Sequence, residues 1–232
     1  MIKTTAIISI HIFCLMCFTT FTIADEKNQE DPTKIVTKLG VGFSDQFTFS
    51  GSIGLDEARM INARINDDAS EWRIGGSWLF NFGIINFNFN RNEYDNDANA
   101  NGYSIGTFVP LSYFGFAPGG IQIFPMAGYN YTDGEVSVPS DEIDDNGFIL
   151  IPNTTHGAYL GAFALKPLND NWTVMSFLGG AKGSDNYSSY WFGGGMSYKI
   201  NQHQSVNFYG FMSDSDYGEN KKVGFSYTYE FD

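Results

Sequence analysis

The chain has 232 residues with 26 acidic against 13 basic side chains, and its formal charge of −13 excludes a nucleic-acid partner of the usual kind, which needs a basic stripe. Its two cysteines, Cys14 and Cys17, both lie near the start, so disulfides, thiol catalysis and Cys-ligated zinc are excluded from everything that follows. With 17% aromatic residues, 26 glycines and no later apolar run as long as a spanning helix, the composition suits many short twisted strands joined by tight turns.

In chain order, the first segment reads as an address. Lys3 supplies a positive n-region, an apolar run follows from Ala6 to Phe18, and Thr22-Ile23-Ala24 offers small residues for cleavage. The expectation is a secretory signal peptide over 1–24, removed near Ala24 together with both cysteines. The apolar run is short for a membrane anchor and is followed at once by polar, acidic sequence. Residues 25–34 form a short polar N-terminal segment, and 35–232 a single β domain.

From there the dominant period is two, the period of a strand. Ile85, Phe87 and Phe89 alternate with Asn86, Asn88, Asn90 and Asn92. Trp72, Ile74, Gly76, Trp78 and Phe80 alternate with Arg73, Gly75, Ser77 and Leu79, and Val223, Phe225, Tyr227, Tyr229 and Phe231 with Gly224, Ser226, Thr228 and Glu230. Such runs predict about twelve strands, near 35–44, 46–54, 59–66, 71–81, 83–94, 103–115, 121–131, 156–167, 171–182, 190–200, 204–213 and 221–231. Ten strands are the alternative. Acidic residues gather between them, at Asp67-Asp68, Asp95 and Asp97, Asp141 to Asp145, and Asp214 and Asp216, as in solvated loops.

The predicted connections alternate in length. Those at Asp214–Asn220, Gly183–Ser189, Thr132–Thr155 and Asp95–Gly102 are longer, while those at Asn201–His203, Asn169-Asp170, Ala117–Gly120 and Asn81-Phe82 are tight; Ser44-Asp45 breaks the rule. A membrane barrel has such alternation, with short periplasmic turns and longer outer loops. The second face of each strand, rich in glycine, serine and asparagine, is too wet for a soluble core and suits a hydrated lumen. Pro110 and Pro125, each lacking an N–H, require strand ends or a distortion beside the Ala117–Gly120 turn.

The signal-like start, the alternating strands and the last strand VGFSYTYEF resemble the Gram-negative outer-membrane β-barrel proteins as a class. The resemblance departs at Asp232, which follows Phe231 where the class ends on the aromatic itself. It implies an all-β fold, a closed antiparallel transmembrane barrel in the outer membrane. It also implies a surround of outer-membrane lipid and lipopolysaccharide, delivery by the barrel-assembly machinery, and a monomer.

On these registers Arg64, Arg73, Asn86, Asn88, Lys199 and Glu230 point into the lumen, and rings of such groups set selectivity in a channel. The expected function is a passive channel for small polar solutes. The alternative is an occluded structural or surface-interaction barrel, with Arg73 and Lys199 neutralised by Glu230. A third reading is a rim hydrolase using His156, which follows the acidic stretch Asp141, Glu142, Asp144 and Asp145; no GxSxG or other nucleophile motif supports it, and the expectation is no enzyme. Neither Asp141–Asp145 nor Asp95–Gly102 has the spacing of a calcium loop, and no metal or cofactor is expected. The glycines 193–195 lie mid-strand, where close packing explains them better than a phosphate cradle.

Overall fold

The computed structural model describes residues 27–93, 99–134, 142–144, 147–149, 154–216 and 218–232. The expected cleavage near Ala24, Cys14, Cys17, and the loop residues Tyr94, Asp95, Asp97, Asp141, Asp145 and Tyr217 lie outside them. Alternating apolar and small or polar side chains produce the strands β1 (Lys38–Phe43), β2 (Phe47–Gly54), β3 (Arg59–Asn66), β4 (Glu71–Phe80), β5 (Gly83–Glu93), β6 (Asn99–Phe108) and β7 (Gln122–Gly134). A small hairpin follows, β8 (Glu142–Asp144) with β9 (Gly147–Ile149), and then β10 (Thr155–Pro167), β11 (Trp172–Gly183), β12 (Ser188–Asn201), β13 (Gln204–Ser215) and β14 (Gly218–Glu230).

All but the hairpin form one antiparallel sheet of sequential neighbours. It closes where β1 pairs with β14, from Lys38 opposite Glu230 to Phe43 opposite Phe225. Closure leaves every strand paired on both sides and removes sheet edges. The fold is therefore a twelve-stranded closed β-barrel, as expected.

The register sorts the two faces. Ile74, Trp78, Phe87, Ile105, Leu160, Leu178, Phe192, Phe208 and Val223 are exposed on the outside. Ser77, Asn86, Asn90, Ser197, Asn207 and Thr228, on the alternate positions, are buried within the closed wall. An apolar exterior band around an interior with a polar arc inverts the arrangement of a water-soluble protein and matches a barrel immersed in lipid. Aromatics mark both ends of the exterior: Tyr103, Tyr129, Tyr131 and Tyr190 at one, Phe82, Tyr113, Phe114, Phe116 and Phe231 at the other, which carries both ends of the sheet. We call the latter the terminal end.

The expected alternation of loop lengths does not hold. The connection expected to be tight at Ala117–Gly120 runs from Val109 to Ile121 and contains two 3-10 turns, Leu111–Phe114 and Pro118–Gly120. The longer connections expected at 214–220 and 183–189 shrink to 216–217 and to a 3-10 turn at Ser184–Asn186. Polar and acidic residues can continue a ladder as readily as they form a loop once the strand has left the lipid. Asp214 and Glu219 are paired in register, and Ser188 donates its N–H to Asp216 (2.6 Å). The segment between β7 and β10 is long, as expected.

The prolines are accommodated without loss. β6 stops at Phe108, before Pro110, which caps the first 3-10 turn. Pro125 stands in β7 opposite Ala162, but its carbonyl faces the other neighbour and accepts from Val109 N–H (3.0 Å). N and O of one strand residue point to the same side, so the missing N–H also faces β6, whose ladder ends at Phe108 opposite Met126.

One wall of the interior is apolar. Ile84, Phe108, Phe124, Met126, Leu165, Phe177, Trp191 and Phe211 form a buried cluster on the inward positions of β5–β7 and β10–β13, with Tyr159, Phe163 and Met175 against it. Glycines make room for these rings. A Cβ on Gly193 would strike the Phe177 ring and the Gly210 carbonyl, and one on Gly179 would strike Trp191. Gly193→Ala is expected to cost about 1–3 kcal/mol of stability through overpacking. Urea unfolding of the vesicle-inserted barrel measures it, and an unchanged midpoint would show that the ring has room to move.

Candidate lumen site

The polar arc of the interior comes from β1–β5 and β12–β14. Five strands place cationic side chains on inward positions: Lys38 on β1, Arg64 on β3, Arg73 on β4, Lys199 on β12 and Lys222 on β14. Arg64 and Arg73 are direct cross-strand partners, so the two guanidiniums project side by side into the barrel. Arg73 is only 5% exposed, and Arg64 donates to Thr48 Oγ1 at 3.3 Å.

A cavity of about 120 Å³ lies between this arc and the apolar wall. Lys38, Arg64, Arg73, Asn62 and Thr48 line one side of it, Phe163, Met175 and Phe177 the other, and Glu30 contributes a carboxylate. Its lining thus holds three cationic groups and one acidic group, against the strongly acidic balance of the chain as a whole. A second hollow of about 40 Å³, toward the end opposite the termini, shares Arg64 and adds Asn66, Glu71, Asp45 and Lys222, with Lys222 Nζ 3.4 Å from Asp45 Oδ2.

Next to the arginines β5 presents a ladder of amides, Asn86, Asn88, Asn90 and Asn92. Ser77 Oγ donates to Asn86 Oδ1 (2.7 Å) and Asn88 Nδ2 to Ser104 Oγ (3.4 Å). Both amide atoms of Asn62, and Nδ2 of Asn90 and of Asn92, are buried and find no protein partner among the described residues.

The six residues singled out from the sequence separate into three groups. Arg64 and Arg73 line the cavity together. Asn86 and Asn88 share the interior face on β5, outside the cavity lining. Lys199 and Glu230 sit at the terminal end: Lys199 flanks a β-bulge and its N–H donates to Asn171 O (2.8 Å). Glu230 does not neutralise Arg73 and Lys199. It pairs with Lys34 at 2.6 Å.

Lys34 belongs to the feature that sequence reasoning missed. Residues 27–34 are folded into the terminal mouth of the barrel rather than trailing from it. Asn28 Nδ2 donates to Thr173 Oγ1 (3.0 Å), and Gln29 Nε2 to Gln202 O (2.9 Å). The Glu30 carboxylate accepts from Ser197 Oγ (2.8 Å) and Asn207 Nδ2 (3.3 Å). Asp31 accepts from the N–H and hydroxyl of Thr33, both at 2.7 Å, so the segment also holds its own shape. Lys27 donates to Thr33 O and Oγ1; burial pushes its ammonium pKa down, and Asp31 opposes the shift. The run of amide and acid side chains reads as a solvated leader, and no periodicity marks it as packed.

His156 lies on an outward position of β10 with its ring 6.3 Å from that of Tyr129. The acidic residues expected near it either lie outside the described residues or have no described side chain. His203 stacks on Tyr229 and approaches Asp232 at 3.6 Å, tying a turn to the last residue.

No family model matches the chain, and no curated protein matches it. Solved structures do. A bacterial polysaccharide outer membrane secretin aligns at TM-score 0.51 and 11% identity, over 82% of this chain and 70% of its own. The KdgM porin in complex with disordered oligogalacturonate aligns at TM-score 0.48 and 11% identity, over 85% and 100%. The NanC porin aligns at TM-score 0.49 and 7% identity, over 84% and 99%. At these identities the likeness is one of fold: this chain is a closed, twelve-stranded antiparallel β-barrel.

Proposed function

We propose that the protein is a narrow outer-membrane channel for small polar solutes that passes anions in preference to cations. The observation that carries this reading is the amide ladder. A buried amide atom left unpaired costs about 1–3 kcal/mol, and Asn62, Asn90 and Asn92 each bury such atoms on the inner wall without a protein partner among the described residues. Water in the lumen relieves that cost, and a hydrated polar path is what small solutes need. The excess of cationic over acidic groups around the cavity supplies the anion preference.

This reading places the barrel in a Gram-negative outer membrane as a monomer, after removal of residues 1–24. Lipid and lipopolysaccharide surround it, with the terminal end on the periplasmic side. The occluded barrel is favoured by a specific observation of its own, the apolar wall and the segment in the mouth.

Single-channel recording in planar bilayers separates the two. Ion-selective steps are expected from the native protein, and R64Q/R73Q is expected to reduce the anion-to-cation permeability ratio. One unit charge 4 Å from an ion in water contributes about 1 kcal/mol, or about five-fold in local ion occupancy, for each arginine. A folded protein that never conducts, with or without residues 27–34, removes the channel reading.

A further inference from the structure

We propose that residues 27–34 are a displaceable plug in which Glu30 acts as a tethered stand-in for the anionic solute. This inference rests on the channel reading above.

The geometry of Glu30 carries it. Its carboxylate enters the barrel from the terminal mouth and lines the same cavity as Lys38, Arg64 and Arg73. Ser197 Oγ and Asn207 Nδ2 donate to it there. A carboxylate in that position occupies the place to which the three cations would draw a carboxylate-bearing solute, and the two compete for the same field.

The segment is built so that it can leave as a unit. Asp31 N–H donates to Asn28 O (3.1 Å) and Lys34 N–H to Asp31 O (3.0 Å), which, with the Asp31–Thr33 bonds, gives it two internal turns independent of the wall. Its side-chain anchors on the barrel are spread over β11, the β12–β13 turn, β12, β13 and β14, at Thr173, Gln202, Ser197, Asn207 and Glu230. None of these wall partners is an apolar side chain; on release their hydrogen bonds are exchanged for bonds to water, which offsets much of the cost, and the Lys34–Glu230 ion pair is the strongest tie to break. The wall contributes no backbone ladder to it, since the first strand begins only at Lys38. The buried Thr33 and Pro32 seat it in the mouth. Such a segment populates a minor released state, and a solute that binds only that state shifts the balance toward it.

The test is a reversible lock. Residues 27–232 contain no cysteine, and the side chains of Asn28 and Thr173 meet through Nδ2 and Oγ1 at 3.0 Å, so N28C/T173C in the full chain puts a thiol on each partner, joined directly or through a short bis-methanethiosulfonate bridge, and dithiothreitol breaks either linkage. Bilayer conductance is recorded oxidised and after reduction with dithiothreitol, in acetate or chloride as the test anion. The oxidised barrel is expected to show steps at least about two-fold smaller than the reduced one. E30Q, which keeps the side-chain length and removes the charge, is expected to raise the anion-to-cation permeability ratio by at least about five-fold, the effect of one unit charge on one ion.

Equal conductance in the oxidised and reduced states, with the disulfide shown by mass, overturns the plug. An unchanged permeability ratio in E30Q overturns the competitor role. A barrel that conducts in neither state, and not after deletion of 27–34, fails at the channel reading itself.

Discussion

Phe124→Ala is expected to lower the unfolding free energy of the vesicle-inserted barrel by about 3–5 kcal/mol, the usual cost of emptying a buried Phe site. Phe124 is 1% exposed, although it points into the lumen and not into a protein core of the ordinary kind. Its ring sits 6.2 Å from that of Phe163, and Ile84, Phe108 and Leu165 belong to the same cluster. These side chains come from strands that backbone hydrogen bonds already fix, so they cannot collapse into the space a smaller residue leaves. The measurement is the midpoint and slope of urea unfolding, followed by tryptophan fluorescence. A loss below about 1 kcal/mol would mean that water already reaches this wall, and that the lumen is open on both sides.

Leu178→Arg is the second large effect. Leu178 lies midway along β11, on the outside, and is 63% exposed to what the fold makes a lipid surface. An arginine on the lipid face of a barrel costs about 2–4 kcal/mol at the bilayer midplane and falls to about 0–1 near the interfaces. Leu168→Arg, in the turn between β10 and β11, is expected to lie in the lower range. The contrast between the two, in the same unfolding assay, reads depth rather than hydrophobicity. Equal costs at both positions would mean that no lipid contacts Leu178.

The strands were legible because their outer face is largely apolar, and the alternation at Ile85–Asn92 and Val223–Phe231 survives local irregularity. The interior was legible only in part. Arg64, Arg73, Asn86 and Asn88 lie on strands whose inner face is polar, where period two is clean. On β7 and β10 both faces are apolar, with Phe124 and Met126 inside and Ile123 and Ala127 outside, and Phe163 and Leu165 inside and Leu160 and Ala162 outside. Period two fades there, and the fading is itself the signal of a filled wall.

Loop lengths were misread for a different reason. Composition records which residues tolerate water, but the ladder at Asp214 and Glu219 continues beyond the lipid because backbone pairing does not depend on it. The mouth segment was hidden because its contacts, such as Glu30 with Asn207 and Lys34 with Glu230, span most of the chain. Long-range polar pairs leave no periodicity behind.

A hydrated lumen requires that the polar face of the strands is the inner one and that the apolar face meets lipid. Nitroxide labels placed singly from Ile85 to Asn90 on β5, in the vesicle-inserted protein, test this directly through their accessibility to oxygen and to a polar nickel chelate. Labels at Ile85, Phe87 and Phe89 are predicted to favour oxygen, which partitions into lipid, and those at Asn86, Asn88 and Asn90 to show low oxygen access, alternating residue by residue. The reverse phase, or no alternation at all, would contradict the account.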